Sequence, residues 1–191
     1  MELLLIRHAL PIRVDEADDG GPADPHLSLR GLEQADALAE WLATEQVDAL
    51  WCSPMQRAVE TAAPVATRLS LPMVVDEALS EYDREAASYI PIEELKAAGD
   101  PRWSEQPEFP ELFREGVVEV IERIVVAHPS KRVAVVCHGG VINAYAAHVL
   151  GIDETLFFLP AYTSISRVFA SGQGHRSIGS LNETAHVRDL L

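Results

Sequence analysis

KRVAVVCHGG, residues 131–140, decides how the rest of the chain is read. Val133 to Cys137 is an unbroken apolar run. A strand with one wet face alternates; a continuous run is expected where both faces are buried, the condition of a central strand in a parallel sheet. The run stops on His138, and Gly139–Gly140 opens the helical stretch VINAYAAHVLG, which ends at Gly151. The first ten residues, MELLLIRHAL, have the same form. Leu3 to Ile6 run straight into Arg7 and His8, and then the sequence turns to loop. Two strands that look buried therefore end on residues that resist burial.

Working outward, residues 9–28 hold Pro11, Gly20, Gly21, Pro22 and Pro25 and form a loop of functional length. Ser28 caps a helix that places Leu32, Ala35, Leu38, Ala39 and Leu42 on one face. VDALWC, ending at Cys52, is a short strand. Ser53 as N-cap and Pro54 as first helical residue start a helix reaching about residue 70, bent at Pro64. A third strand is expected over 72–76. Residues 80–110 carry Pro91, Pro101, Pro107, Pro110 and several acids, with a short helix near 91–98. They read as a small inserted cap, about 80–115, within one domain of residues 1–191. A helix over about 110–127 presents Leu112, Val117, Val120, Ile121, Ile124 and Val125. Strands are expected over 164–170 and 175–181.

Strands alternating with helices imply an α/β fold, a mostly parallel central sheet with helices on both faces. Ligands in such sheets bind beyond the carboxyl ends of the strands. Arg7–His8, Ser53–Pro54 with Arg57 one turn on, and His138–Gly139–Gly140 all leave from those ends. Singly, each has an ordinary explanation as a surface cation or a core histidine. Together, two guanidiniums and two imidazoles make an anion site. Arg is a planar, bidentate donor to phosphate oxygens, helix N-termini add N–H groups, and a neutral imidazole is a competent nucleophile toward phosphorus.

Composition narrows the partners. The chain has 191 residues, 48% hydrophobic and 24% charged, with 30 acidic against 15 basic side chains and a net charge of −15. That argues against non-specific nucleic-acid binding and docking on anionic membranes. No apolar run is long enough to span a bilayer, and the N-terminus does not read as a signal peptide. Cys52 and Cys137 have no metal-site spacing and read as buried thiols in a reducing cytoplasm. Asp15, Glu16, Asp18 and Asp19 read as a solvated loop. The three tryptophans read as packing residues, though Trp103 in the cap could line a pocket.

The ordered motifs resemble the histidine phosphatase superfamily, which contains cofactor-dependent phosphoglycerate mutase and many broad phosphatases. LIRHA at 5–9, LSLRGLEQA at 27–35, SPMQRAVETA at 53–62, CHGGVI at 137–142, LPAYTSISRV at 159–168 and LNETAHV at 181–187 carry the likeness, over nearly the whole chain. The resemblance implies the phosphoglycerate mutase-like three-layer fold, with the first strand beside the His138 strand. It makes His8 the nucleophile and Arg7, Arg57 and His138 the clamp on the phosphoryl oxygens, with Gly139 beside the substrate. LSE at 79–81 resembles the context of the family's general acid and points to Glu81, with Asp83 as the alternative. Ala9 stands where the family has Gly and adds a methyl expected to narrow the pocket. LPIRV at 10–14 lacks the family's Asn, leaving Arg13 or His26 to replace that phosphate contact. The implied activity is metal- and cofactor-independent hydrolysis of a small phosphomonoester through a phosphohistidine. The alternatives are a phosphoglycerate-type mutase and a non-catalytic phospholigand-binding protein of the same fold. A homodimer is compatible with this reading.

Overall fold

The computed structural model describes residues 1–17, 20–104, 109–154 and 156–191, Ser104 by its backbone alone. Asp18 and Asp19 of the acidic loop, and Pro107 of the expected cap, lie outside the described residues. A sheet of six strands has the order β3-β2-β4-β1-β5-β6. The strands are β1 (Glu2–Arg7), β2 (Ala49–Cys52), β3 (Met73–Val75), β4 (Arg132–Cys137), β5 (Ile165–Ala170) and β6 (Arg176–Glu183). The first four are parallel, and β1 lies beside β4 in the register Arg7↔Cys137. β5 and β6 run antiparallel.

The side-chain period of two sorts the apolar run of each strand between two cores. Leu3 and Leu5 of β1 join Val133, Val135 and Cys137 of β4 on one face. Leu4 and Ile6 join Ala134 and Val136 on the other. The first face is covered by α4 (Glu111–Ala127) through Val120, Ile121 and Ile124, and by α5 (Gly139–Leu150) through Val141, Ile142 and Tyr145. The second is covered by α1 (Leu29–Leu42) through Leu38 and Leu42, and by α2 (Gln56–Leu69) through Ala58, Ala62 and Val65. This is the expected three-layer α/β architecture. Leu3 to Ile6 are all fully buried. Each such side chain contributes roughly 1.5–3 kcal/mol, which offsets the cost of holding Arg7 and His8 out of water at the strand end.

The expected elements form within one or two residues, with two instructive differences. α2 begins at Gln56, and its N-cap residue Met55 makes no side-chain cap. The carboxylate of Asp24, from the long loop, accepts the Gln56 N–H instead (2.9 and 3.0 Å). Ser53 is thereby free for another partner. Leu112 is 82% exposed, because Phe113 takes the inward position at the start of α4, packing on Phe109 and Tyr82. A short helix α3 (Ile92–Ala97) lies in the expected cap. That segment also contributes Glu81, Tyr82, Tyr89 and Trp103 to a cavity whose floor is formed by the strand ends.

Candidate active site

Because β1, β2 and β4 are parallel, Arg7–His8, Ser53 and His138 emerge on one edge of the sheet. Arg57 arrives from the first turn of α2. All four side chains of the predicted cluster are buried: Arg7, His8, Arg57 and His138. Arg7, His8 and Arg57 line a cavity of about 510 Å³ with Glu81, Asp83 and Gly139, and His138 lies behind them against the His8 ring.

His8 is fixed from both ends. Its backbone N–H donates to the Cys137 carbonyl (2.9 Å), and its Nδ1 lies 2.8 Å from the Ala9 carbonyl. A carbonyl only accepts, so Nδ1 carries the proton and Nε2 keeps its lone pair. Burial, then the charges of Arg57 and Arg7 and the neighbouring His138, hold the imidazole well below its ordinary pKa. It is a neutral base at physiological pH. The His8 and His138 rings are 5.2 Å apart between centroids.

The two arginines and His138 are held by their neighbours. Arg7 donates to the Pro160 carbonyl (2.6 Å) and its guanidinium carbon lies 3.9 Å from the Tyr162 ring centroid. Arg57 stands over the Tyr89 ring at 4.9 Å, and its Nη1 is 3.8 Å from Asp24. Thr61 ties the pair together: its hydroxyl donates to the Arg57 carbonyl (2.7 Å) and accepts the Ala9 N–H (2.9 Å). His138 Nε2 is 2.7 Å from Ser53 Oγ, which also accepts the Met55 N–H (3.3 Å). What remains is unsatisfied. Nε and Nη1 of Arg57 and Nδ1 of His138 are buried and make no hydrogen bond among the described residues. Buried donors without partners are rare in folded proteins and call for a ligand.

Glu81 sits on the opposite side of the cavity floor. Its Oε2 accepts the Gly140 N–H (2.8 Å) and its Oε1 the Tyr82 N–H (3.0 Å). Burial and the neighbouring Asp83 nevertheless raise its pKa to about 7. Gly140 is required here, because a Cβ would collide with the Glu81 carboxylate. The N–H groups expected to face an anion at the two helix starts are therefore partly spoken for: Gly140 serves Glu81 and Gln56 serves Asp24. At Gly139 a Cβ would meet only ordinary contact with Pro160.

The structure does not bring Arg13 to this cluster. It is half exposed and bonded to Asp15 (2.5 Å) and Glu94 (3.5 Å). His26, the other candidate, is exposed and paired with Glu60 (2.5 Å). The acids beside them in space outbid a distant phosphate. The Ala9 methyl does not narrow the cavity either; it packs against Leu27 and Ala35. Ser53, Thr61, Tyr89 and Tyr162 escaped the sequence reading as site residues. Ser53 and Thr61 were visible in SPMQRAVETA, and the one signal available was their polarity beside two buried strands.

Among the described residues, no group of three or more His, Cys, Asp or Glu side chains is placed to hold a metal ion. No helix among them is long and apolar enough to cross a membrane. A site of two guanidiniums, two imidazoles and one protonatable carboxyl has the chemistry to bind a tetrahedral oxyanion and move one proton.

The sequence profile of the histidine phosphatase superfamily, branch 1, matches residues 3–184. Phosphoserine phosphatase 1 of Hydrogenobacter thermophilus is 31% identical over 203 residues, covering 100% of this chain and 96% of the relative. The fold superposes on a phosphoserine phosphatase from Entamoeba histolytica, crystallised with phosphoserine, with a TM-score of 0.75 at 21% identity, covering 97% and 98% of the two chains. A mycobacterial glucosyl-3-phosphoglycerate phosphatase with inorganic phosphate gives 0.74 at 22%, covering 97% and 99%. At such identities the structures speak for the fold alone, but the profile spans nearly the whole chain. This chain belongs to the histidine phosphatase superfamily.

Proposed function

We propose that the protein is a metal-independent phosphatase that hydrolyses a phosphomonoester through a phosphohistidine on His8. The observation that carries this reading is the pairing of a neutral, oriented His8 with the unpartnered buried donors of Arg57 and His138. Relatives named phosphoserine phosphatase support the reaction class.

His8 Nε2 attacks phosphorus as the ester P–O bond breaks. Arg7, Arg57 and His138 hold the phosphoryl oxygens and offset their charge, and such positioning and electrostatics supply most of what phosphoryl transfer needs. Glu81 gives its proton to the leaving oxygen. A water then attacks the phosphohistidine; its proton goes to the Glu81 carboxylate, and inorganic phosphate and the starting enzyme are restored. Ser53 acts through His138. With Met55 N–H donating to its oxygen, the Ser53 hydroxyl proton is available to His138 Nε2. That puts the imidazole proton on Nδ1, the buried nitrogen that lacks a partner. Neutral His138 is then a donor to the phosphoryl group.

A mutase acting on a bisphosphate needs a second cation cluster. Beyond the floor, the cavity wall offers Lys96 and Arg102, and Arg102 is held by Asp100 (2.7 Å). A purely binding role leaves unexplained a raised carboxyl poised beside a neutral nucleophile. Turnover of p-nitrophenyl phosphate by the wild type in EDTA, and its loss in a folded His8→Ala variant, is the expected result. Restoration of EDTA-treated enzyme only by a divalent ion, or unchanged turnover by the variant, rejects the mechanism.

A further inference from the structure

Above the phosphoryl floor the cavity changes character. One wall is Ile90, Ile92 and Leu95, from α3 and the residues leading into it. Another is Trp103, and a third is Leu156, Phe158 and Leu159. Leu156 and Phe158 rest partly against the first core, but none of the seven is fully buried, and Trp103 and Leu159 are each 40% exposed. Apolar side chains left wet around a concave site mark a surface that a ligand covers.

The charges around this wall point the same way. Glu93 and Glu94 project from α3, Glu93 lying 3.9 Å from Arg7 and Glu94 engaging Arg13. Asp83 lines the cavity beside Glu81. Asp100 holds Arg102 through both carboxylate oxygens (3.0 and 2.7 Å). Lys96 lies over the Trp103 ring, 5.2 Å from its centroid. Among the described residues of this wall the cations are Lys96 and Arg102, and Arg102 is already engaged by Asp100, so a leaving group bearing its own carboxylate or second phosphate would find mainly Lys96 to meet it. An uncharged apolar one would cover the exposed wall without needing a cation.

Building on the phosphatase reading above, we infer that the substrate is the phosphomonoester of an apolar alcohol, aliphatic or aromatic. Its phosphoryl group sits on the Arg7–Arg57–His138 floor. Its hydrocarbon body lies between Ile92, Leu95, Trp103 and Phe158. The ester oxygen then falls beside Glu81, where an alcohol needs a proton to leave. The volume of about 510 Å³ is in the range that encloses ligands well beyond a three-carbon body.

The test is a series of alkyl phosphates from ethyl to hexyl, with phenethyl phosphate, phosphoserine and 3-phosphoglycerate, assayed in EDTA. The leaving alcohols of the alkyl series have similar basicity, so its trend reports the pocket and not the chemistry. A buried methylene contributes about 0.8 kcal/mol, roughly fourfold per carbon at full burial. A rise in kcat/KM of at least about tenfold from ethyl to hexyl is expected. The phenethyl ester should exceed phosphoserine and 3-phosphoglycerate, and Leu95→Asn and Trp103→Ala should flatten the alkyl series. A flat or falling series in wild type, or a preference for phosphoserine, overturns this inference while leaving the phosphatase reading standing. No turnover of any ester and no phosphate on His8 overturns both.

Discussion

In the proposed mechanism Glu81 and His8 have opposite protonation demands, and their surroundings meet both. Glu81 must be protonated for the first step, and burial with the nearby Asp83 raises it to about 7. His8 must be neutral, and burial with Arg57 pushes its pKa down. The sign of each limb follows. Above about pH 7, kcat/KM for an alkyl phosphate falls, approaching about tenfold per pH unit, as Glu81 loses its proton. The acid limb lies below 6.5, where His8 begins to protonate. Glu81→Gln should abolish the alkaline limb and slow alkyl phosphates by about 10²–10⁴, with a much smaller effect on transfer from p-nitrophenyl phosphate. Equal effects on the two leaving groups would move the acid role to Asp83, which also lines the cavity. Ser53→Ala should lower kcat about tenfold or more, because His138 is released to the wrong tautomer. Nitrogen-15 spectra of labelled histidine check this directly: the His138 proton should leave Nδ1 in the variant, and should stay there in Ser53→Thr. Arg7, His8 and His138 were legible because they follow apolar runs, and Arg57 because it lies one turn beyond Ser53–Pro54. Ser53 was misassigned because a serine after a strand reads equally well as a helix cap, and the residue that actually caps, Asp24, is 32 positions away.

At the scale of elements, the start of α5 is the point where backbone geometry and chemistry meet. His138 closes β4 in extended conformation, and the helix begins at once, so the Gly140 N–H meets Glu81 head on. Gly140→Ala should leave the sheet and α5 intact yet displace the Glu81 carboxylate. A displacement near 1 Å costs about 10²-fold in rate. The expected outcome is a kcat loss of that order for alkyl phosphates with little change in thermal midpoint; unchanged kcat would mean that Glu81 is not the acid. Strand boundaries were readable because β1 and β4 each hold a continuous apolar run next to charged residues, and Gly151, in left-handed conformation, stops α5 where a glycine should. The direction of β5 and β6 was not readable. Alternation reports one wet face and is silent on whether the neighbour runs parallel. Thr163 takes a positive φ of 56° just before β5, and its N–H donates to the Arg7 carbonyl (3.1 Å). No feature of YTSIS announces that turn.

On the scale of the whole molecule, a chain of net charge −15 gathers its buried cations at one sheet edge. Other arginines are neutralised where they stand: Arg167 on β5 bonds Glu2, Glu45 and Glu183, and Arg176 pairs with Glu122. Arg57 and His138 are different, since buried nitrogens of both keep open hydrogen-bonding capacity, although Arg57 Nη1 also stands 3.8 Å from Asp24. The central claim is that this capacity serves a phosphoryl group in transit to His8. Glu81→Gln provides the trap, because p-nitrophenolate leaves without a proton while hydrolysis of the phosphohistidine loses its base. The direct measurement is to mix that variant with p-nitrophenyl phosphate carrying a labelled phosphoryl group, quench in alkali within the first turnover, and map the labelled peptide. The account predicts a burst approaching one phosphoryl group per chain, borne on Nε2 of His8, because Nδ1 is bonded to the Ala9 carbonyl. Label on Nδ1, label on another residue, or p-nitrophenol release in the burst with no phosphate on the protein would contradict it.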